Sequence, residues 1–383
     1  MVKKTLRLLN LVMAAALLVA CLWPLNPFPH NDITWLPGGG LWFGKQGLIV
    51  SSGLFKFPLD EHSSDCTLEI SLQPAVGYVH NSATLLVVYT PDNPLQFRLM
   101  QYGDELLIRR NYRDKDNHLK NVEIELEHVF NTEAPVTFVI TSGPGGAVAY
   151  RDGLPAGASK KMHLSCQDFS GQLLLGDSPI SDNAWQGKLF SLSIYNRELT
   201  AAEVSRGFAA RNSNPKAANV QNTEGLVAHY TFAEGTGKII HNSAGSAPGL
   251  YIPDSFRILH KKILTPPWKE FTADNRYVFD VTINVVGFIP FGFLLCFYLG
   301  WDRPRKRAML LTILAGATMS TTIEVLQIFI PSRTSGMTDI ITNTIGSALG
   351  ALLWYSAPVQ GLVNKLRHVD NSDSGHGEKS TGV

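Results

Sequence analysis

The sequence predicts a multidomain protein: an all-β sandwich of the jelly-roll type, plus an α-helical transmembrane bundle. Residues 67–140 hold several short runs of period-two alternation separated by turn residues, a pattern typical of a sandwich. Residues 277–357 hold three apolar runs, each close to the ~20 residues that a bilayer requires. A formal net charge of +1 over 383 residues, with no basic cluster beyond short loops, argues against nucleic acid as a partner.

The chain begins with a hydrophobic segment. Three basic residues among the first seven precede an apolar run over 8–23, a pattern that directs the following segment across a membrane. We interpret residues 1–25 as a signal-anchor transmembrane helix. Two alternatives stay open: a lipoprotein signal over 18–21, with Cys21 lipidated after cleavage, and ordinary signal cleavage. All three place the middle of the chain outside the cytoplasm.

The middle of the chain changes to strand-like alternation. Turn clusters at 91–94 and 142–146 separate the runs, and Trp185 is expected to pack in the core. Many short strands at even spacing predict a sandwich or jelly roll and argue against a parallel α/β sheet. The alternating or apolar runs are 67–72, 85–89, 96–99, 106–109 and 136–140.

The second half of this region has a more specific pattern. Residues 149–153 predict a hairpin with Asp-Gly at its turn, and 173–176 predict a strand that ends in glycine. Thr200 then caps a short helix, with Glu203 three residues on as a capping box. This succession resembles the laminin-G-like, concanavalin A-like jelly roll over residues 38–212. The resemblance implies a module that binds glycans or proteins through its rim loops.

Residues 213–276 connect the jelly roll to the apolar C-terminal region. The run 226–237 resembles the opening strand of a jelly roll, but too little sequence follows it for a second copy. We interpret 213–276 as appended strands and a linker. A truncated repeat is the alternative.

Sugar sites need exposed aromatic rings and a few fixed polar groups. Trp35, Trp42 and Tyr112 are available for stacking in the jelly roll. No spaced carboxylate pair resembles a glycosidase strand, so hydrolysis in this domain is not expected.

Metal binding is not expected at a cysteine–histidine cluster, since no such spacing occurs. Asp114, Asp116 and Asn117 form an acidic loop that offers oxygen ligands for calcium. The ligand set is incomplete, so a solvated loop is the simpler interpretation, and no other cofactor is expected.

Two of the four cysteines, Cys66 and Cys166, lie in the polar middle. If that region is extracytoplasmic, they can form a disulfide. The sequence does not supply the Cα separation that the bond requires.

The C-terminal region predicts three spanning helices at 279–300, 308–330 and 339–355. Four basic residues in the loop 301–307 place that loop in the cytoplasm. The jelly roll is then extracytoplasmic, and 358–383 form a disordered cytoplasmic tail.

Polar residues interrupt these apolar helices, and under this topology they share the extracytoplasmic half. Ionisable groups at membrane depth are costly and usually mark a functional site. Their order resembles the VanZ-like family of bacterial membrane proteins, over residues 277–357. The matching residues are Asn284, Phe288, Pro290 and Gly292 in N-V-V-G-F-I-P-F-G, Glu324 and Gln327 in I-E-V-L-Q-I-F-I-P, then Arg333, then Asp339 and Asn343 in T-D-I-I-T-N-T-I-G.

These residues suggest a site of defined chemistry. Arg333 would hold a phosphate or carboxylate in a forked contact, and Glu324 or Asp339 would act as acid or base. The ligand-binding set would be Asn284, Gln327, Arg333 and Asn343. In the structural alternative, the acids pair with Arg333 and the amides join helices as packing contacts.

Three functions remain open at this stage. The first is a bacterial inner-membrane envelope protein that binds a glycan, glycolipid or anionic lipid-linked ligand at the extracytoplasmic face. The second is an enzyme acting on a lipid-linked substrate through Glu324, Asp339 and Arg333. The third is an adhesion module whose membrane part is only an anchor. The sequence lacks a nucleophile motif and a phosphate loop, which favours binding and leaves catalysis undecided.

Overall fold

The computed structural model describes residues 2–57, 65–75, 82–132, 134–213, 223–245 and 247–361. The chain divides into two compact units. One unit is Phe28–Lys261, a β-sandwich. The other joins Met1–Pro27 to Lys262–Val383 and is helical, so the sandwich is inserted in the sequence between the first helix and the remaining helices. The expected tail at 358–383 lies largely outside the described residues.

The sandwich unit contains two antiparallel sheets. The strands are β1 Ile33–Trp35, β2 Leu41–Phe43, β3 Ile49–Ser51, β4 Cys66–Pro74, β5 Ala83–Tyr89, β6 Phe97–Tyr102, β7 Glu105–Arg113, β8 Leu119–Leu126, β9 Val136–Gly143, β10 Gly146–Arg151, β11 Leu154–Ser159, β12 Gln172–Leu175, β13 Gly187–Tyr195, β14 Leu226–Tyr230, β15 Ile239–Ile240 and β16 Leu250–Tyr251. The first sheet has the order β1-β2-β13-β4-β9-β10-β11, with β14 also paired to β13, and the second has the order β15-β16-β3-β12-β5-β6-β7-β8.

The core lies between the two sheets because alternate residues of each strand point inward. On β4, Leu68, Ile70 and Leu72 are fully buried in this core, and Trp185 joins them at 1% exposure, as predicted. The Trp185 Nε1–H donates to Gln101 Oε1 at 2.9 Å, which satisfies the buried indole donor.

The local patterns of the second half form as predicted. Asp152 and Gly153 make the turn between β10 and β11, both with positive φ, which is the type of turn that Asp-Gly favours. The helix α2, Ala201–Ser213, begins at the expected capping box. The Thr200 N–H donates to Glu203 Oε2 at 2.8 Å, and the Glu203 N–H donates to Thr200 Oγ1 at 3.3 Å. This helix packs on the outer face of the first sheet.

The strands expected between 213 and 276 belong to both sheets. β14 pairs with β13 in the first sheet, and β16 pairs with β3 in the second, with β15 at the edge. Ala228, Tyr230 and Leu250 are fully buried in the shared core. These strands are therefore part of the sandwich, and the helical unit begins after them.

The helical unit contains five helices in its described residues. They are α1 Val2–Leu22, the short α3 Pro267–Glu270, α4 Asn275–Gly300, α5 Arg305–Gln327 and α6 Met337–Trp354. Of these, Lys3–Leu22, Asn275–Gly300 and Arg305–Gln327 are long and apolar enough to cross a membrane. Helix α6 is not among them, because its 18 residues include Asp339, Asn343 and four threonines or serines. The expected third C-terminal span thus stays a prediction.

Small residues bring α4 and α6 into close contact. Gly292 of α4 lies against the backbone of Ser347, and Gly350 of α6 lies against the backbone of Ile289. A Cβ atom at either glycine would collide with the facing backbone. Such small residues allow helices to approach closely in a membrane, where no hydrophobic effect drives their association.

Helix α1 is packed into the same unit. The Asn10 Nδ2–H donates to the Leu294 carbonyl on α4 at 3.1 Å, and Leu17 and Cys21 pack against the cluster that contains Phe288. Lys3 forms an ion pair with Asp302. The first helix is therefore a structural component of the bundle.

Candidate functional site

The first turn of α6 is the centre of the candidate site. Its N-cap, Gly336, has no side chain that could satisfy the free N–H groups of the helix start. Glu324 on α5 supplies an acceptor instead: its Oε2 receives the Gly336 N–H at 2.7 Å. Glu324 is only 1% exposed, so this hydrogen bond also supplies its carboxyl group with a partner where solvent does not reach it.

A second carboxylate, Glu270, caps the same turn. Its Oε2 accepts the Thr338 N–H at 3.0 Å and also the Thr338 hydroxyl. The segment before it pairs with the turn that precedes α6, since the Thr265 N–H donates to the Ser335 carbonyl at 3.1 Å. Sequence reasoning missed Glu270, because its partner lies 68 residues away and no local pattern marks it.

Asp339 is held by an amide. The Asn284 Nδ2–H of α4 donates to Asp339 Oδ1 at 2.8 Å. One turn later, the Asn343 Nδ2–H donates to Ser320 Oγ on α5 at 2.9 Å. Asn343 is 2% exposed, and its Oδ1 has no hydrogen-bond partner among the described residues. A buried acceptor without a donor is unusual in folded proteins.

Arg333 lies in the turn between α5 and α6 and is half-buried. Among the described residues it forms no ion pair with Glu324 or Asp339. The acids instead bond to a backbone N–H and to an amide. The ion pairs between Arg333 and these acids, which the structural alternative expects, are thus not formed. The N–H donors of the guanidinium are not used by either carboxylate.

Gln327 has a different role from its neighbours. Its Nε2–H donates to the Cys21 carbonyl at the end of α1, at 2.9 Å. The other predicted residues, Glu324, Asp339, Asn284 and Asn343, meet around the first turns of α6. Gln327 instead fastens α5 to α1.

In the sandwich unit, the aromatic residues predicted for sugar stacking do not form one group. Trp35 and Trp42 lie on adjacent strands of the first sheet, and the Trp35 Nε1–H donates to the Gly237 carbonyl at 2.9 Å. Tyr112 lies on β7 of the second sheet, under the guanidinium of Arg110 at 5.2 Å from the ring centre.

The acidic loop after β7 has its own internal hydrogen bonds. Asp114 Oδ1 accepts the N–H groups of Asp116 and His118 at 3.0 and 2.8 Å. Asp114, Asp116 and His118 place ligand atoms within 4.8 Å of one another, while Asn117 occupies the positive-φ position of the turn. Calcium at this loop stays a prediction.

Cys66 and Cys166 are adjacent in the sandwich core. Both are free thiols, and their Sγ atoms are 2.8 Å apart at 1% and 0% exposure. Burial raises the pKa of the Cys66 thiol well above its usual value. The disulfide itself stays a prediction.

Comparison with known families supports the two-domain description. Residues 58–205 match the family model of the concanavalin A-like lectin/glucanases superfamily. Residues 229–359 match the family model VanZ/LLP1. The chain is a membrane protein with a concanavalin A-like jelly roll followed by a VanZ-like domain, and both resemblances predicted from the sequence are confirmed. No curated protein matches the chain.

Solved structures resemble the sandwich only distantly. A heptameric SAP-like pentraxin from Limulus polyphemus is 15% identical, with a TM-score of 0.35, over 60% of this chain and 94% of its own. A candidate carbohydrate binding protein from Bacteroides ovatus is 14% identical, with a TM-score of 0.38, over 57% of this chain and 61% of its own. The receptor binding domain of botulinum neurotoxin type G is 14% identical, with a TM-score of 0.36, over 48% of this chain and 45% of its own.

Proposed function

We propose that this protein is a bacterial inner-membrane envelope protein that binds an anionic, lipid-linked or glycan ligand at the extracytoplasmic face. The jelly roll would recognise the glycan, and the VanZ-like helices would hold its phosphate or carboxylate. The family matches support a membrane envelope protein, and the ligand class comes from the chemistry of the site residues.

The observation that supports this proposal is that Arg333 forms no ion pair with Glu324 or Asp339. Two carboxylates lie in the neighbouring helices, yet Glu324 bonds to the Gly336 N–H and Asp339 bonds to Asn284. The guanidinium therefore keeps its planar fork of N–H donors, which suits phosphate and carboxylate groups. If Arg333 were only a structural counter-ion, a direct ion pair with an acid would be expected.

The charge distribution of the loops supports an extracytoplasmic site. Arg303, Arg305, Lys306 and Arg307 lie between α4 and α5, and basic loops stay in the cytoplasm. Arg333 and the first turn of α6 lie at the opposite end of α5. The site would then open toward the outer leaflet.

The test compares lipids and glycans in a deletion strain that carries either wild type, Arg333→Gln or the control Arg307→Gln. We expect the Arg333→Gln strain to resemble the deletion and the Arg307→Gln strain to resemble wild type. Each variant must accumulate normally in the membrane. A wild-type profile with Arg333→Gln would remove the basis of the proposal.

Catalysis on the same ligand is a second candidate function. It rests on Glu324 and Asp339, which both contact the first turn of α6 or its N-cap and would act as acid or base toward a ligand held by Arg333. Glu324→Gln separates the two functions. Accumulation of an unprocessed lipid-linked compound with Glu324→Gln, while ligand binding persists, indicates an enzyme.

A non-catalytic adhesion module is the remaining candidate, and in that case neither Arg333→Gln nor Glu324→Gln changes the envelope.

A further inference from the structure

The segment that leads into α4 carries large apolar side chains on its surface. Ile263, Trp268 and Phe271 are 56%, 77% and 64% exposed, and all three lie within residues 262–274. We call residues 262–274, which include the single turn α3, the pre-helix segment. Large apolar side chains gathered in one exposed stretch mark a surface that meets a partner.

The pre-helix segment is attached to the helices that follow it. The Thr265 N–H donates to the Ser335 carbonyl in the turn before α6, at 3.1 Å, and Glu270 caps the first turn of α6. The Phe271 ring packs edge-on against the Tyr277 ring in the first turn of α4, with 5.4 Å between the ring centres. These contacts fix the exposed side chains at the end of the helical unit where α4 and α6 begin.

The length of α4 indicates the depth of this segment in a membrane. The 26 residues of α4 extend about 39 Å, whereas the hydrocarbon core of a bilayer is about 30 Å thick. The first turns of α4 carry two exposed charged residues, Arg276 and Asp280, which favour a start of the helix in the headgroup layer. The pre-helix segment ends directly before α4 and then lies in the same layer.

A second exposed tryptophan lies at the same end of the helical unit. Trp23 follows α1 and is 64% exposed. The end of α1 is joined to the end of α5, because the Gln327 amide donates to the Cys21 carbonyl. The turn to which the pre-helix segment is attached begins directly after Gln327. Tryptophan rings concentrate at the membrane–water interface, since they combine a large apolar ring with one N–H donor.

Basic residues accompany the exposed rings. Lys262 and Lys269 are exposed, and neither forms an ion pair within the part of the chain that the structure describes. Lysine side chains at the membrane boundary lay their methylene groups along apolar surface and place the ammonium group among the headgroups. Exposed Trp and Phe together with Lys are typical of segments that lie in the plane of the interface.

We infer that the pre-helix segment lies in the interfacial layer of the bilayer and binds phospholipid there, with the Trp268 ring at the level of the lipid headgroups. Lipid is the occupant that these observations favour, because the segment is continuous with a helix that is long and apolar enough to cross a membrane. The segment would also hold the first turn of α6 at headgroup depth, since Glu270 belongs to it. This inference goes beyond the proposed function and does not depend on what Arg333 binds.

The test measures quenching of Trp268 fluorescence in the full-length protein, reconstituted in phosphatidylcholine vesicles. The Trp268 emission is the difference between wild type and Trp268→Phe, because the remaining tryptophans are common to both. One set of vesicles contains lipid brominated near the carbonyl end of the acyl chains, and a second contains lipid brominated near the methyl end. A third set has no bromine and receives acrylamide, a quencher dissolved in the water. We expect the Trp268 emission to lose most of its intensity with the shallow bromines, and much less with the deep bromines or with acrylamide.

Trp35→Phe is the matched control, since Trp35 lies on β1 of the sandwich, in the other unit. The Trp35 emission, obtained by the same subtraction, should be insensitive to both brominated lipids. Trp268→Phe should keep the melting temperature of wild type in detergent, because its side chain is 77% exposed.

Quenching of Trp268 by acrylamide but not by brominated lipid would place the ring in water. Protection from both quenchers would place it against protein. Either result would overturn the inference, as would equal quenching of Trp35 and Trp268 by brominated lipid. Arg333→Gln should leave the quenching of Trp268 unchanged, so a failure of the proposed function is read separately.

Discussion

Asn284 on α4 donates a hydrogen bond of 2.8 Å to Asp339 on α6, and this amide, not an arginine, is the partner of that carboxylate. The same principle holds one turn away, where Glu324 accepts a backbone N–H of the α6 start. Both contacts need an acceptor oxygen but no negative charge. An amide in place of either carboxylate can therefore preserve the fold while removing the ionisable group.

The first prediction follows from this difference. Asp339→Asn and Glu324→Gln should accumulate normally in the membrane, because each keeps an oxygen for Asn284 or Gly336 and has nearly the same shape. Both should fail to complement a deletion. Western analysis of membranes and growth or envelope assays give the two readouts. Glu324→Ala is the structural comparison, and we expect it to reduce accumulation because the Gly336 N–H loses its acceptor.

Full complementation by both amide variants would contradict a functional role for these acids. Loss of both proteins from the membrane would instead favour a purely structural role.

The second prediction concerns helix packing. Gly292→Ala should lower the stability of the helical unit by about 1–3 kcal/mol, because the new Cβ meets the Ser347 backbone on α6. Gly287→Ala on the same helix is the matched control, since no atom lies within 4 Å of its added Cβ. Thermal unfolding in detergent should give a lower melting temperature for Gly292→Ala than for Gly287→Ala. Equal melting temperatures for both variants would show that α4 and α6 do not pack as closely as described.

The third prediction concerns the pH dependence of the jelly roll. A hydrogen bond from Arg197, followed by one from the Thr200 N–H, lowers the pKa of Glu203 to about 2. A folded-state pKa below the unfolded value, about 4.3, stabilises the fold above pH 5, and this contribution is lost as the pH falls toward 2.

Glu203→Gln should therefore lower the free energy of unfolding at pH 7 by about 1 kcal/mol, the scale of a capping interaction, and the difference from wild type should vanish near pH 2. Denaturant titrations at several pH values provide the measurement, with Asp92→Asn on an exposed turn as the control. A difference that does not depend on pH would show that the charge of Glu203 is not involved.

The fourth prediction concerns the buried thiols. In an oxidising compartment, Cys66 and Cys166 should be linked, because they are adjacent and isolated from other cysteines in the sandwich. Non-reducing mass mapping of protein taken from the envelope should find the cross-linked peptides. Reduction should lower the free energy of unfolding by about 4–5 kcal/mol, the chain-entropy scale for a loop of about 100 residues. Complete alkylation of both cysteines without prior reduction would refute the link.

The fifth prediction concerns the N-terminus. The Cys21 carbonyl accepts the Gln327 amide, and Leu17 and Cys21 pack against the bundle, so we expect α1 to be retained in the mature protein. Cys21→Ala should leave the size of the protein unchanged, and intact-mass measurement should find the N-terminal residues. An acylated Cys21 at the mature N-terminus would establish the lipoprotein alternative.

The local chemistry of the sequence was enough to predict much of the fold. Period-two runs produced the strands, Asp152-Gly153 produced the β10–β11 turn, and Thr200 with Glu203 produced the start of α2. These patterns act over a few residues, so they leave their mark in the sequence itself. The order of polar residues in the apolar C-terminal region likewise sufficed to indicate a VanZ-like domain, which the family match confirms.

The partners of those polar residues were decided only by the tertiary structure. Nothing near Glu270 in sequence indicates that it caps Thr338. The sequence pattern placed Gln327 in the ligand-binding set, and only the structure shows that its amide bonds to the Cys21 carbonyl on α1. Arg211 likewise forms its ion pair with Glu69, which lies 142 residues away in the sequence. Sequence period fixes which face of an element is apolar. Which elements then meet, and which donor is left without an acceptor, depends on packing between segments that are far apart in the chain.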